Sequence, residues 1–271
     1  MWLTVLGCRA GMPADGQASS GYLLETGTSR LLLDCGPGIA TALSSVVRPA
    51  GLDAIVISHF HSDHCYDLLP IGKALLSDFA HEPGACVERL AESGFAPVQL
   101  FVPRGSGDLL ARWAGLFPVR TFPMLDKAFE LAFDVHEYAP GEVHSVGDAE
   151  LTMHEMRHAI PTCGVRVESP TGTFAYTGDT GMTPALYDLA ADVDVLLAEA
   201  TLAEPETGDH GHLSGADTGV VAAKAGVGRL VLTHFASADE DDLEGLRSGA
   251  AESFDGPIQL AEPGARIGVG G

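Results

Sequence analysis

Lysine is almost absent from this chain: Lys73, Lys127 and Lys224 are the only three in 271 residues. With 15 basic residues against 37 acidic ones, the formal net charge is −22. So acidic a surface repels nucleic acid unless its few cations cluster, which disfavours a large polyanionic partner but not a small anion held by metal ions. No run of 18 apolar residues occurs, so no membrane span is expected. Basic residues are also missing from the opening Met1-Trp2-Leu3-Thr4-Val5-Leu6-Gly7, which turns polar too early for a signal peptide and reads as a first β-strand. There is no CxxC pair. Cys8, Cys35, Cys65, Cys86 and Cys163 are odd in number and scattered, which fits free thiols in a reducing cytoplasm better than a disulfide framework. A low-complexity linker and a short internal repeat are both missing, which argues against a solenoid.

What is present is a hydrophobic fraction of 46%, enough for a substantial core, and the expectation is one domain over residues 1–271. The most informative stretch is His59-Phe60-His61-Ser62-Asp63-His64, four metal-competent side chains in six residues. Residues 52–58 before it read as a short buried strand, so the cluster sits where a strand gives way to a loop. Imidazole with carboxylate suits zinc and similar divalent ions.

Along the chain, 21–26 and 29–34 read as a hairpin across Gly27-Thr28, followed by a Gly36-Pro37-Gly38 turn into a helix reaching about Val47. A helix is expected over 67–79, and the mixed segment 80–97, with a short helix at 86–92, is the candidate lid. Strand 100–103, helix 107–117 and strands 129–138 and 149–156 follow. A second hairpin pairs 165–168 with 173–176. A helix at 184–190, a buried strand at 193–198 and a helix at 214–225, capped by Ser214 and Gly226, come next. Strand 230–233, a helix at 241–254 and a strand at 258–261 close the chain. Two β-rich halves, each followed by helices, suggest an α/β architecture of two sheets face to face with helices outside.

The candidate ligands share a pattern. Strand 151–156 leads to His158, strand 174–176 to Asp179 and strand 230–233 to His234. His154 is a rival to His158, but it lies inside its strand. With the first loop, four strand ends offer five histidines and two aspartates, the inventory for two divalent ions sharing one carboxylate. Cys65 and Cys163 lie close enough in sequence to line such a site. Asp34, at the end of the first hairpin, is placed to hydrogen-bond a ligand histidine. Two ions bridged by water would provide a hydroxide, and the leaving alkoxide would still need a proton. His212 is the natural acid, with Glu199 orienting it, although His212 could also be a loop histidine beside Asp209 and His210.

These residues resemble the metallo-β-lactamase fold superfamily. The hexapeptide matches its HxHxDH motif. His158-Ala159-Ile160-Pro161-Thr162-Cys163-Gly164, Tyr176-Thr177-Gly178-Asp179-Thr180, Glu199-Ala200-Thr201, His212-Leu213-Ser214 and Leu232-Thr233-His234-Phe235 are similar to the RNase Z-like branch, including its small bacterial phosphodiesterases that cleave cyclic nucleotides. The resemblance implies an αββα sandwich of two mixed sheets with helices on the outer faces. It implies that His59, His61 and His158 hold one metal, that Asp63, His64 and His234 hold the other, and that Asp179 bridges. Asp63, His212 and Glu199 form the implied catalytic set. Zinc is the expected metal, with manganese and iron compatible, and a homodimer is implied as well.

RNase Z, as a family, grips transfer RNA with a long basic arm between the third histidine and the bridging aspartate. Here only 20 residues separate His158 from Asp179, enough for one hairpin. Ala14-Asp15-Gly16-Gln17 also replaces the family's basic stretch before the first hairpin. The expectation is therefore a hydrolase of small-molecule phosphodiesters, cyclic nucleotides among them, in the cytoplasm. A thioesterase, lactonase, arylsulfatase or pathway-specific hydrolase on the same metal core is the alternative. Transfer RNA processing or a non-catalytic scaffold is further down the order. Phe79, His81, Phe95 and Trp113 are the aromatics placed to stack on a base.

Overall fold

A computed structural model describes residues 1–208 and 211–270. Asp209 and His210, the neighbours of His212, lie outside the described residues. Fourteen strands are seen among them: β1 Trp2–Gly7, β2 Gly21–Glu25, β3 Arg30–Leu33, β4 Ala54–Val56, β5 Val98–Pro103, β6 Phe133–Tyr138, β7 Val143–Val146, β8 Ala149–Met156, β9 Thr162–Ser169, β10 Gly172–Tyr176, β11 Val195–Glu199, β12 Leu230–Thr233, β13 Ile258–Leu260 and β14 Arg266–Gly268. They form two seven-stranded sheets, in the orders β14-β1-β2-β3-β4-β5-β6 and β13-β12-β11-β10-β9-β8-β7.

The two sheets repeat one design. In the first, the pairs from β14 to β3 are antiparallel and those from β3 to β6 are parallel. In the second, the pairs from β7 to β10 are antiparallel and those from β10 to β13 are parallel. The last strand, β14, crosses back to pair with β1.

Strand periodicity explains why runs such as Leu31-Leu32-Leu33 are apolar throughout. Successive side chains point to opposite faces, and both faces of the first sheet are covered. Leu31, Leu33 and Val56 join Leu151, Val165 and Phe174 in the core between the sheets. Leu32 and Ile55 face the other way, onto Leu68, Leu76 and Phe129 of the outer helices. The chain is thus an αββα sandwich of mixed sheets.

Three expectations change. The apolar run 129–138 divides into a helical turn Ala128–Leu131 and then β6, because a short apolar run fits either conformation until packing decides. The short strands β7 and β14 were unforeseen; Val143 is exposed at 53%, which blurs the alternation that marks a strand. The helix expected over 107–117 spans Gly107–Ala114, with Gly115 as its C-cap.

Helix Gly215–Ala225 follows its sequence signals. The Ser214 hydroxyl accepts from Asp217 N at 3.2 Å and Asp217 Oδ2 accepts from Ser214 N at 3.0 Å, a capping box, while Gly226 ends the helix at φ 72°. The segment 80–97 carries helix Val87–Glu92 and buries Leu90 in the outer-helix cluster. Phe79, Phe95 and Trp113 pack against that same cluster, and His81 lies on Phe122 with ring centroids 4.6 Å apart. Among the described residues, no helix is long and apolar enough to cross a membrane.

Candidate metal centre

The parallel strands of both sheets deliver their carboxyl ends to one edge of the sandwich, where chemistry on α/β sheets commonly sits. Register sets the levels. Leu33 pairs with Val56, which brings Asp34 beside the start of the His59–His64 loop. Glu199 pairs with Thr233, one residue before His234. The loop leaves β4 in extended form through His61, and then turns helically over Ser62–Cys65. Extended spacing sends His59 and His61 to one point, and the helical turn sends Asp63 and His64 to a second.

Two clusters result. In the first, His61 Nδ1 lies 3.1 Å from both His59 Nε2 and His158 Nε2. Asp179 Oδ2 stands 3.7 Å from His59 Nε2 and 3.8 Å from His158 Nε2. In the second, His64 Nε2 and His234 Nε2 are 3.2 Å apart, and Asp63 Oδ2 is 3.5 and 3.3 Å from them. Asp179 Oδ1 is 3.2 Å from His64 Nε2 and 3.4 Å from His234 Nε2. One oxygen of Asp179 therefore faces each cluster. Nitrogen and oxygen ligands about 2.1 Å from a tetrahedral ion sit roughly 3.4 Å apart.

Hydrogen bonds on the far sides of the rings leave the converging nitrogens bare. The carbonyl of Gly211 accepts from His158 Nδ1 at 3.0 Å, and Asp34 Oδ2 accepts from His64 Nδ1 at 2.7 Å. Ser58 Oγ donates to Asp34 Oδ2 at 2.8 Å and so accepts from His59 Nδ1 at 3.0 Å. Thr201 Oγ1 gives its hydrogen to Glu199 Oε2 at 2.7 Å, and accepts from His234 Nδ1 at 2.8 Å. Such outer partners fix the ligating tautomer. Asp179 Oδ1 is buried with no hydrogen-bond partner. Bare imidazole nitrogens packed at these distances, with an orphaned carboxylate oxygen among them, fit divalent cations and little else.

Electrostatics agree with that fit. Burial, reinforced by the neighbouring imidazoles, holds His59 and His61 below the usual histidine range, so both are neutral. Burial also works against charge on His64, but Asp179 and Asp34 outweigh it and raise His64 well above its ordinary value. Burial opposes the charge of Asp179 and Asp63 as well, yet His234 and His64 hold both carboxyls well below the usual range. A proton and a cation therefore compete for His64 Nε2.

Beside the clusters, His212 Nδ1 donates to Glu199 Oε1 at 2.8 Å. Glu199 is fully buried and also accepts from Thr180 N at 3.0 Å. Burial disfavours the imidazolium of His212, but the hydrogen bond and charge of Glu199 prevail and raise its pKa. All nine sequence candidates thus meet at one edge. His154 does not: it lies within β8 opposite Gly164. Cys65 donates to the His61 carbonyl at 3.2 Å, and burial pushes the Cys65 and Cys163 thiols up to about 12.

Thr201 entered the sequence reading only as the last residue of Glu199-Ala200-Thr201, with no role of its own. Its hydroxyl joins the Glu199–His212 pair to His234, and its place two residues after Glu199 was the only signal. Asp34 was anticipated as a partner for one histidine. It takes four hydrogen bonds, from Ser58 N, Ser58 Oγ, His64 Nδ1 and Tyr176 OH.

A sandwich of this kind with two His/Asp clusters at its strand ends defines a metallo-hydrolase of the β-lactamase superfamily. Residues 29–235 match the family described as the Beta-lactamase superfamily domain, and the chain belongs to it, in its RNase Z-like branch. It is 33% identical to the Mycobacterium tuberculosis (strain H37Rv) protein Rv1339, over 94% of this chain and 88% of that one. It is 28% identical to the probable metallo-hydrolase YhfI of Bacillus subtilis, over 97% and 98% of the two chains. With the Ribonuclease Z of Mycobacterium marinum it shares 29% identity over 98% of each. Among solved structures, YhfI superposes with a TM-score of 0.80 at 24% identity, covering 98% of both chains. Human tRNase Z, short form, superposes at 0.73 and 21% identity over 99% of both. A diphosphatase from the PhnP family gives 0.68 at 19% identity, over 98% of this chain and 96% of that one.

Proposed function

We propose that this protein is a binuclear metal-dependent phosphodiesterase of small molecules, cyclic nucleotides among them. His59, His61 and His158 would hold one divalent ion, Asp63, His64 and His234 the other, and Asp179 would face both. Zinc suits this donor set, with manganese and iron compatible. When bound, such ions supply Lewis acidity and a water made nucleophilic near neutral pH. Asp63, at 13% the most exposed side chain of its cluster, can accept a hydrogen bond from the attacking water as well as hold an ion. Its Oδ2 is steadied by Gly11 N at 2.8 Å.

The observation that carries the reading is the His212–Glu199 pair. With Nδ1 committed to Glu199, His212 has Nε2 left to carry a proton, and Glu199 raises the pKa of the ring, which favours its protonated form. A thiolate, whose pKa is about 8.5, leaves without such help, whereas an alkoxide requires protonation. A held acid beside the cation sites therefore supports an oxygen leaving group and disfavours a thioesterase. Transfer RNA is disfavoured too. The 20 residues between His158 and Asp179 contain β9, a turn and β10, with no excursion for an arm.

The reading takes 1–271 as one domain, with 80–97 as its candidate lid. A homodimer is part of it, and the five free thiols suit a reducing cytoplasm. The test offers metal-loaded enzyme bis-4-nitrophenyl phosphate, 3′,5′-cyclic AMP, an acyl thioester and a lactone, with wild type and His212→Ala. Chelator-sensitive phosphodiester turnover is expected, with His212→Ala depressing cyclic AMP hydrolysis far more than that of the nitrophenyl ester. Turnover of the thioester or lactone alone sinks the reading, and equal losses on both phosphodiesters sink the acid role of His212.

A further inference from the structure

A cleft of about 550 Å³ opens beside the first cluster, lined in part by Arg104, Tyr138, Met156, His158, Ile160 and Pro161. His158 stands at the boundary: its buried ring, 2% exposed, points Nε2 at His61, while the half-buried residue lines the cleft. Arg104 follows the end of β5 and Tyr138 ends β6, so the cleft continues the catalytic edge of the first sheet past β4. Its walls are fastened next to the first ligand. The Ser58 carbonyl, one residue before His59, accepts from Cys163 N at 3.1 Å and from Tyr138 OH at 3.1 Å.

The lining carries no excess of positive charge. Arg104 Nη2 is committed to Glu142 Oε1 at 2.9 Å, and Glu155 adds a carboxylate to the wall. The carboxylates of Glu142 and Glu155 beside Arg104 disfavour a second phosphate there. Met156 is buried, Ile160 half-buried and Pro161 exposed, which gives an apolar surface suited to a flat ring. The volume falls within the range of ordinary small-molecule sites, about 300–1,000 Å³.

We propose that this cleft binds the uncharged ring portion of the substrate, a nucleobase when the substrate is a cyclic nucleotide, while the scissile phosphodiester lies on the other side of His158. The proposal rests on the phosphodiesterase reading and adds where selectivity arises. Ile160→Trp fills the cleft, and Ile160→Ala is the milder change. For each, kcat/KM is compared on 3′,5′-cyclic AMP and on methyl 4-nitrophenyl phosphate, which has no base, and adenosine binding is measured by calorimetry. Zinc stoichiometry reports whether His158 is undisturbed.

Filling the cleft is expected to lower the cyclic AMP to nitrophenyl ester ratio by about tenfold or more, mostly through KM, and to weaken adenosine by a similar factor. The Ala variant moves both the same way by a few-fold. Equal losses on both substrates, or no change in the ratio, overturn the proposal. Wild-type protein that hydrolyses neither ester refutes the phosphodiesterase reading. In that case the cleft stands only if adenosine binds and Ile160→Trp abolishes the binding, and absent binding overturns it as well.

Discussion

Asp34→Asn is the sharpest single perturbation of the centre, because it removes a charge and barely changes shape. Asp34 is fully buried at φ 56°, a left-handed conformation that Asn adopts as readily. Its Oδ2 accepts three hydrogen bonds, from Ser58 Oγ at 2.8 Å and from His64 Nδ1 and Tyr176 OH at 2.7 Å each. Its Oδ1 accepts one, from Ser58 N at 2.7 Å. An amide meets fewest conflicts with its NH2 at the Oδ1 position, where it opposes one N–H. The Ser58 N–H and the buried amide N–H groups facing it then go unsatisfied, at about 1–3 kcal/mol for each such donor. His64 also loses its charged acceptor, and outer-partner changes of this kind weaken metal binding by about 10–100-fold. Chelator competition for the zinc Kd, with thermal unfolding of the metal-free protein in parallel, reads the two effects separately. Zinc affinity within about twofold of wild type would refute the argument that Asp34 sets the His64 tautomer. Asp34→Ala strips all four donors and strains the backbone, so a far larger loss of stability is expected.

Thr201→Val should weaken metal binding and slow turnover together, because His234 Nδ1 loses its acceptor and Glu199 Oε2 keeps only the Thr201 N–H, whereas Thr201→Ser should retain most of each. Elemental analysis and kcat check this, and a Val variant with full metal content speaks against it. Gly36→Ala should displace the ligand loop, because a Cβ there would overlap the Asp63 carbonyl; a drop of about 1–3 kcal/mol in stability, seen by denaturant unfolding, is expected with reduced zinc binding. Metal affinity should rise with pH. The pKa of His64 is raised in the metal-free fold, so below that value a proton must leave before an ion can bind. The contribution of that proton to metal-free stability runs oppositely. It is complete below the unfolded histidine pKa of about 6.5 and is lost as pH rises through the raised value. Calorimetric titration with zinc across pH tests the first sign, and metal-free melting curves test the second.

Much of the candidate site was legible because its residue types are rare and their positions regular. Buried parallel strands are short apolar runs, and a His or Asp at the end of such a run stands out. That is why His158 could be preferred to His154, which occupies the middle of β8. Outer partners are far less visible. Thr201 looks like any loop threonine until β11 and β12 align Glu199 with Thr233 and bring His234 under its hydroxyl. The edge strands β7 and β14 were illegible for a different reason. Each is only three or four residues long, and an antiparallel partner distant in sequence or across a tight turn defines it more than its own pattern does.

The sequence by itself determined the candidate donor set, the alternation of strands and helices, and the short connection between His158 and Asp179, because these are properties of residue type and spacing. Only the tertiary structure decided how the donors divide between two points, which ring nitrogens face one another, and that a cleft opens beside the first cluster. Those depend on distances and hydrogen bonds between residues up to 171 positions apart, as between Asp63 and His234, and no local pattern encodes them.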